Sequence, residues 1–282
     1  MFFSSLKADE SHIYLQTKEL YLCRMETKLF DSIIFGPIKS RRLGVSLGIN
    51  LLPTNSKLCN FDCIYCECGW TDLKKAPKFK FHSRKEIKEA LEYKLQHLLN
   101  QKEKLCSITF AGNGEPTLHP EFEEIINDTI ELRDKYYPNS KISVLSNSLM
   151  LNNSKVVSAL KKVDKRILKL DAGTEDLFQK IDQPLNNRTL EWVVYHLNQF
   201  NGDLTIQTMF LKGVHKAQPI DNTTDYEVDS WLELLKIIKP KEVMLYSLDR
   251  PTPETNLEKI SFEKLQEIGK KVEQLGIKTL IY

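Results

Sequence analysis

Residues 57–70 read K-L-C-N-F-D-C-I-Y-C-E-C-G-W. Cys59, Cys63 and Cys66 stand at C-x3-C-x2-C spacing, and Cys68 follows two positions on. Thiolates this close on one loop are soft ligands suited to zinc or to an iron–sulfur cluster. A structural zinc site calls for two C-x2-C pairs, or one pair with histidines, and the second pair is missing here. Three ligands from one loop leave a fourth coordination position open, as a reactive centre requires. A zinc loop completed by Cys68 or His82 is the competing reading. Cys106 lies inside a strand pattern beside Ile108 and Phe110 and reads as a small buried apolar residue. Cys23 stands alone near the start.

On either side of this loop the chain alternates short β-rich runs with amphipathic helical runs. Strands are expected at Gly44–Leu51, Leu105–Ala111, Lys141–Ser146, Arg166–Asp171, Asp203–Leu211 and Glu242–Ser247, with Lys278–Tyr282 a weaker seventh. Helices are expected near Arg84–Asn100, Pro120–Tyr136, Asn153–Lys162, Leu190–Phe200, Asp229–Lys239 and Ser261–Leu275. Ser261 supplies a cap to the last of these, and Gly276 a left-handed stop. Strand, helix, strand repeated about six times implies an α/β fold with parallel strands and helical crossovers. Pattern alone leaves a barrel, complete or partial, and an open doubly wound sheet both standing. In either, chemistry collects at the C-terminal ends of the strands.

Several strand ends carry residues suited to a site. Ser107–Ala111 runs into Gly112-Asn113-Gly114-Glu115-Pro116, where the glycines let the backbone approach a ligand; a plain turn is the simpler alternative. Ser146-Asn147 ends the third strand, and Asp171 the fourth, where it could accept hydrogen bonds or close a turn. Arg41 and Arg42 precede the first strand. Gln207 and Arg250 fall where a substrate pocket is expected. Lys161-Lys162 and Lys270-Lys271 read as solvated helix faces.

C-x3-C-x2-C with Tyr65 just before the last cysteine resembles the signature of the radical S-adenosylmethionine (radical SAM) superfamily. F-G-P-I-K-S-R-R-L-G-V-S-L-G-I-N (35–50), G-N-G-E-P-T (112–117), L-K-L-D-A-G (168–173) and L-Y-S-L-D-R-P (245–251) are similar to the branch labelled wyosine-synthase-like iron–sulfur oxidoreductases. The resemblance implies a partial TIM-type barrel of about six parallel strands with outer helices. It also implies a [4Fe–4S] cluster on Cys59, Cys63 and Cys66. S-adenosylmethionine (SAM) would bind the fourth iron and be cleaved reductively to a 5′-deoxyadenosyl radical that takes hydrogen from substrate. By the same resemblance Tyr65 lies near the adenine, Gly112, Asn113, Gly114 and Glu115 bind the SAM amino group, Ser146 and Asn147 face SAM, and Asp171 meets the ribose. Arg41 and Arg42 could meet the SAM carboxylate or a substrate phosphate. Cys68 is read as a neighbour of the cluster rather than a ligand. No residue stands out as a second catalytic group.

The wyosine-type resemblance suggests a tRNA base as substrate. Only Cys23 precedes Cys59, however, where such relatives carry cysteines for a second cluster, and no flavodoxin-like reductase domain is appended, so a small molecule or a peptide stands equally. A flavodoxin- or ferredoxin-type electron donor is the expected partner. The other classes weighed are a non-catalytic zinc-binding module for RNA or protein, and a scaffold that has lost activity, against which the cysteines and Glu115 argue.

The bulk numbers agree with this reading. The chain has 282 residues, 41% hydrophobic and 28% charged, within the range of ordinary globular proteins. A chain of that length buries roughly three quarters of its unfolded surface and needs no disulfides. Its formal charge is +2, from 40 basic and 38 acidic side chains, which favours no particular partner. No stretch approaches the ~20 apolar residues of a membrane span. Clustered cysteines without disulfide spacing fit a reducing compartment, so a cytoplasmic location is expected. Residues 1–24 read as a disordered extension before Met25, and 25–282 as a single radical SAM domain.

Overall fold

Seven runs rich in Ile, Val and Leu pair side by side because the six connections between them are long enough to bring the chain back parallel. The structure, a computed structural model, describes residues 28–71 and 80–282. The expectation for residues 1–24 lies outside the described residues. Strand β1 (Ile34–Ser40) pairs antiparallel with β2 (Gly44–Ile49). From β2 the parallel order is β3 (Ser107–Phe110), β4 (Lys141–Ser146), β5 (Lys165–Lys169), β6 (Thr205–His215), β8 (Glu242–Ser247) and β10 (Lys278–Ile281). Short strands β7 (Gln218–Asp221) and β9 (Leu257–Lys259) pair antiparallel with the far end of β6. The sheet path ends at β1 and β10 and does not close, so the architecture is a partial TIM-type barrel.

The helices between the strands are α1 (Arg84–Asn100), α2 (Phe122–Tyr136), α3 (Ser154–Lys162), α4 (Glu175–Ile181), α5 (Leu190–Leu197), α6 (Asp225–Ile238) and α7 (Phe262–Glu273). Their starts are written in sequence: Ser83 and Glu86 form a capping box on α1, and Ser261 caps α7. None is long and apolar enough to cross a membrane.

Three features differ from expectation. β1 forms ahead of the first expected strand, at Gly44, and around Gly36-Pro37, because Pro37 falls at a ladder irregularity on an edge strand where its missing N–H costs nothing. β6 runs on to His215 rather than stopping at Leu211, and turns into β7 through Lys216 and Ala217. Both of these have left-handed φ, 49° and 60°, at a turn with no Gly or Asn to announce it. Cys106 is exposed rather than buried, because β3 begins one residue later, at Ser107.

Register explains where the site lies. Ser46 pairs with Ser107, Thr109 with Ser143 and Lys169 with Gln207, so these six side chains share one face of the sheet. Ser46, Thr109, Ser107 and Ser143 form a buried hydroxyl chain with steps of 2.7 to 3.0 Å. The other face carries Leu47, Ile108, Phe110, Val144 and Leu168, all fully buried. Buried parallel strands are normally apolar on both faces; here one face is polar.

Candidate active site

The loop between β2 and α1 carries the three cysteines and is fastened at its start. Leu58 and Gly114 form a parallel bridge: Leu58 N donates to the Asn113 carbonyl at 2.8 Å, and Glu115 N donates to the Leu58 carbonyl at 3.1 Å. The cysteine loop thus lies directly against the Gly112–Glu115 turn after β3. A second side of the loop is held by Asp62 N on the Asp182 carbonyl and Ile64 N on the Ile181 carbonyl.

Asn147, Glu115, Ser146, Tyr65 and Asp171, all singled out in sequence, fall in or beside this neighbourhood. The Asn147 amide nitrogen Nδ2 lies 3.5 Å from Cys59 Sγ and donates to Asn60 Oδ1 at 2.6 Å. Glu115 is buried and accepts from Thr117 N at 3.0 Å and from Asn147 N at 2.6 Å, tying the end of β3 to the end of β4. Burial pushes its carboxyl upward. Ser146 Oγ accepts from Ser148 N at 3.1 Å. Tyr65 donates its hydroxyl to Asp171, and Lys169 bonds both, with its ammonium 4.4 Å from the centre of the Tyr65 ring.

The glycines and Asn113 have reasons of their own. A Cβ on Gly114, whose φ is +134°, would lie 1.9 Å from the Leu58 carbonyl oxygen, and one on Gly112 would lie 2.4 Å from Asn50 Oδ1. The close approach these glycines permit is to the chain itself. Asn113 is completely buried. Its N donates to Asn50 Oδ1, its Nδ2 to the Phe30 and Pro53 carbonyls, and its Oδ1 accepts from Phe30 N. With its carbonyl taken by Leu58, every polar group of Asn113 is spent inside the protein.

The arginines divide. Arg41 pairs with Asp249 and Arg250 with Glu67, both exposed. Arg42 lies over the Tyr246 ring at 4.8 Å and reaches Gln207 Oε1 at 3.4 Å, on the polar face of the sheet.

Sequence reading missed three buried groups. Lys57 Nζ donates to Asp62 Oδ1 at 3.0 Å and to the Gly69 carbonyl at 2.8 Å. Asp182 Oδ1 lies 3.1 Å from Lys169 Nζ, and burial pushes its carboxyl up to about 7. Asn60 Nδ2, next to Cys59, is buried with no hydrogen-bond partner among the described residues. A lysine before a cysteine motif, or an Asp before Gln-Pro, looks like surface in sequence; only the fold buries them.

Burial holds the Cys59 thiol up to about 12 and Cys63 well above its usual value. Cys66 falls to about 6, first because Cys68 hydrogen-bonds to it and then, against burial, because Lys57 is near. Cys68 is raised as the donor of that bond, and its Sγ lies 3.4 Å from the Gly112 carbonyl. Three soft donors on one loop, flanked by the orphaned Asn60 Nδ2, suit a thiolate-held iron–sulfur cluster. Among the described residues no three His, Cys, Asp or Glu side chains are placed around a point to hold a single metal ion.

Comparison with known proteins gives the same assignment. The sequence model of the radical SAM superfamily matches residues 56–222. A UPF0026 protein of Methanocaldococcus jannaschii is 30% identical over 241 residues, covering 84% of this chain and 70% of that protein. A Brachyspira hyodysenteriae protein named GTPase Obg is 30% identical over 262 residues, covering 90% of this chain but 36% of its own length. The 282 residues here contain no G-x4-G-K-[S/T] phosphate loop. Among solved structures, a radical SAM methyltransferase from Sphaerobacter thermophilus superposes with a TM-score of 0.63 at 16% identity, over 84% of this chain and 65% of that one. That likeness concerns the fold. By its cysteine motif, its fold and its sequence relatives, the chain belongs to the radical SAM superfamily.

Proposed function

We propose that Cys59, Cys63 and Cys66 hold one [4Fe–4S] cluster, and that SAM occupies the space bounded by the cysteine loop, Glu115, Asn147 and Asp171. The chain is an enzyme by its family, and its cofactors are the cluster and SAM. The bridge between Leu58 and Gly114 carries the reading, since it brings the cysteines and the strand-end residues into one site. The chemistry supplied by a bound cluster is one-electron reductive cleavage of SAM, which yields a hydrogen-abstracting radical.

The chain's own residues position and shelter. Leu58 and Gly114 fix Cys59. Asn147 Nδ2 is aimed at the Cys59 sulfur, where a hydrogen bond stabilises the thiolate. Glu115, anchored by Asn147 N and Thr117, offers its remaining lone pairs to the SAM ammonium. Tyr65, locked by Asp171 and Lys169, presents its ring on the adenosine side, with Ser146 and Asp171 at neighbouring strand ends. Asn113 holds the turn rather than the ligand. The cluster ligands must lose the protons that burial keeps on Cys59 and Cys63, so assembly releases protons. Cys68 Sγ donates to the Gly112 carbonyl at 3.4 Å, which supports a neighbour's role rather than a fourth ligand's.

The polar face formed by Ser46, Ser107, Thr109, Ser143, Lys169 and Gln207 supports a polar substrate; a tRNA base, a peptide and a polar small molecule are the classes to be separated by assay. We also read residues 25–282 as one working unit, supplied with electrons by a flavodoxin- or ferredoxin-type protein in the reducing cytoplasm. Iron and sulfide analysis after anaerobic reconstitution tests the cluster reading. About four irons per chain is expected. About eight would overturn the single cluster, and one tightly held zinc would overturn the reading itself.

A further inference from the structure

We propose that Lys57 is a positioning residue that sets the reduction potential of the cluster, acting as a fixed cation beneath the cysteine loop. The inference rests on the reading that the three cysteines hold a [4Fe–4S] cluster. Lys57 sits two residues before Cys59, and its side chain is 2% exposed. Its ammonium crosses the base of the loop to the Gly69 carbonyl at 2.8 Å, closing a ring of residues that contains all three cysteines. It is therefore held, buried, inside the ring that carries Cys59, Cys63 and Cys66.

The counter-ion does not cancel this field. Asp62 accepts from Lys57 at 3.0 Å and from Thr71 N at 2.8 Å, but its side chain is 20% exposed. Water screens the carboxylate, whereas the ammonium faces buried sulfur through a medium of low dielectric constant. Lys169, the other buried cation near the loop, is spent on Asp171 and Asp182 and contributes no net positive charge. The reduced cluster carries one more negative charge than the oxidised one, so an unscreened cation favours reduction. Net charge and hydrogen bonding around the sulfurs are the levers by which proteins move such potentials.

The test is an EPR-monitored redox titration of reconstituted Lys57→Gln and Asp62→Asn beside wild type, without SAM or substrate. Glutamine keeps length and a donor toward Gly69 but removes the charge; asparagine keeps an acceptor for Lys57 and Thr71 but removes the counter-charge. Lys57→Gln is expected to move the midpoint to more negative potential and Asp62→Asn to less negative potential. Opposite signs are a result that loosening the loop would not give. If Lys57→Gln assembles no cluster, the sign of the Asp62→Asn shift carries the test by itself. A wild-type potential in Lys57→Gln, or no upward shift in Asp62→Asn, overturns the inference while the cluster assignment stands. Absence of any cluster in wild type overturns both.

Discussion

Leu58 and Gly114 touch backbone to backbone, and through that bridge the loop carrying the cysteines is built onto the end of β3. Residues 50–71, which follow β2, form no helix and no strand beyond isolated bridges, so their shape comes from what they are bonded to.

Gly114→Ala is expected to break that attachment. The new Cβ would lie 1.9 Å from the Leu58 carbonyl, at a φ of +134° that side chains avoid. A cost on the order of 3 kcal/mol follows from combined clash and backbone strain. Thermal unfolding of the apo chain should show the loss, and iron retained after reconstitution should fall with it. Wild-type stability and iron content in the variant would remove the bridge from its organising role.

Asp171 is the partner that makes Lys169 tolerable in the interior. Its carboxylate takes Lys169, Tyr65 and, at 2.8 Å, Met209 N. Asp171→Ala leaves a buried ammonium with Asp182 alone, and breaking a buried pair typically costs about 3–5 kcal/mol. Urea unfolding of the apo chain measures it. Lys169→Met with Asp171→Ala should recover part of the loss, because no uncompensated cation then remains on that strand.

Acid sensitivity has one source far from the site. Asp128 on α2 accepts from Arg84 Nε at 2.6 Å and from Lys88 Nζ at 3.2 Å, and the bond from Arg84 holds its carboxyl below the usual value of 3.8. A depressed carboxyl stabilises fully above its unfolded-state pKa and loses that stabilisation as pH falls through the folded value. Asp128→Asn should cost roughly 1–2 kcal/mol at neutral pH, Arg84 being partly exposed. The gap from wild type should narrow below pH 3.8. A gap constant down to acid pH would show that the carboxylate's charge is not what stabilises.

Legibility in the sequence followed the physics of each part. Lys141–Ser146, Glu242–Ser247 and Arg84–Asn100 match the expected bounds at both ends, because buried strands announce themselves in runs of Ile, Val and Leu and α1 carries its own cap. Helix α4, seven residues long, is too short for a periodic stripe, and its cap Thr174 gave the only local signal. The candidate site announced itself where spacing carries chemistry, in Cys59, Cys63, Cys66 and the Gly112–Glu115 turn, which the fold brings together. Lys57, Asp182 and Asn60 were not, since burial of a charged or amide group depends on what folds over it. Asn113 was legible as part of a motif but not as a buried clamp, because its partners Phe30 and Pro53 lie far away in sequence.

The most direct test of the assignment is the release of 5′-deoxyadenosine from SAM by anaerobically reconstituted, dithionite-reduced protein. Wild type is expected to form it, and Cys63→Ala, which removes a buried cysteine proposed as a cluster ligand, to form none. A colourless, zinc-loaded wild-type protein that leaves SAM intact would contradict the assignment and make the cysteine loop a structural metal site.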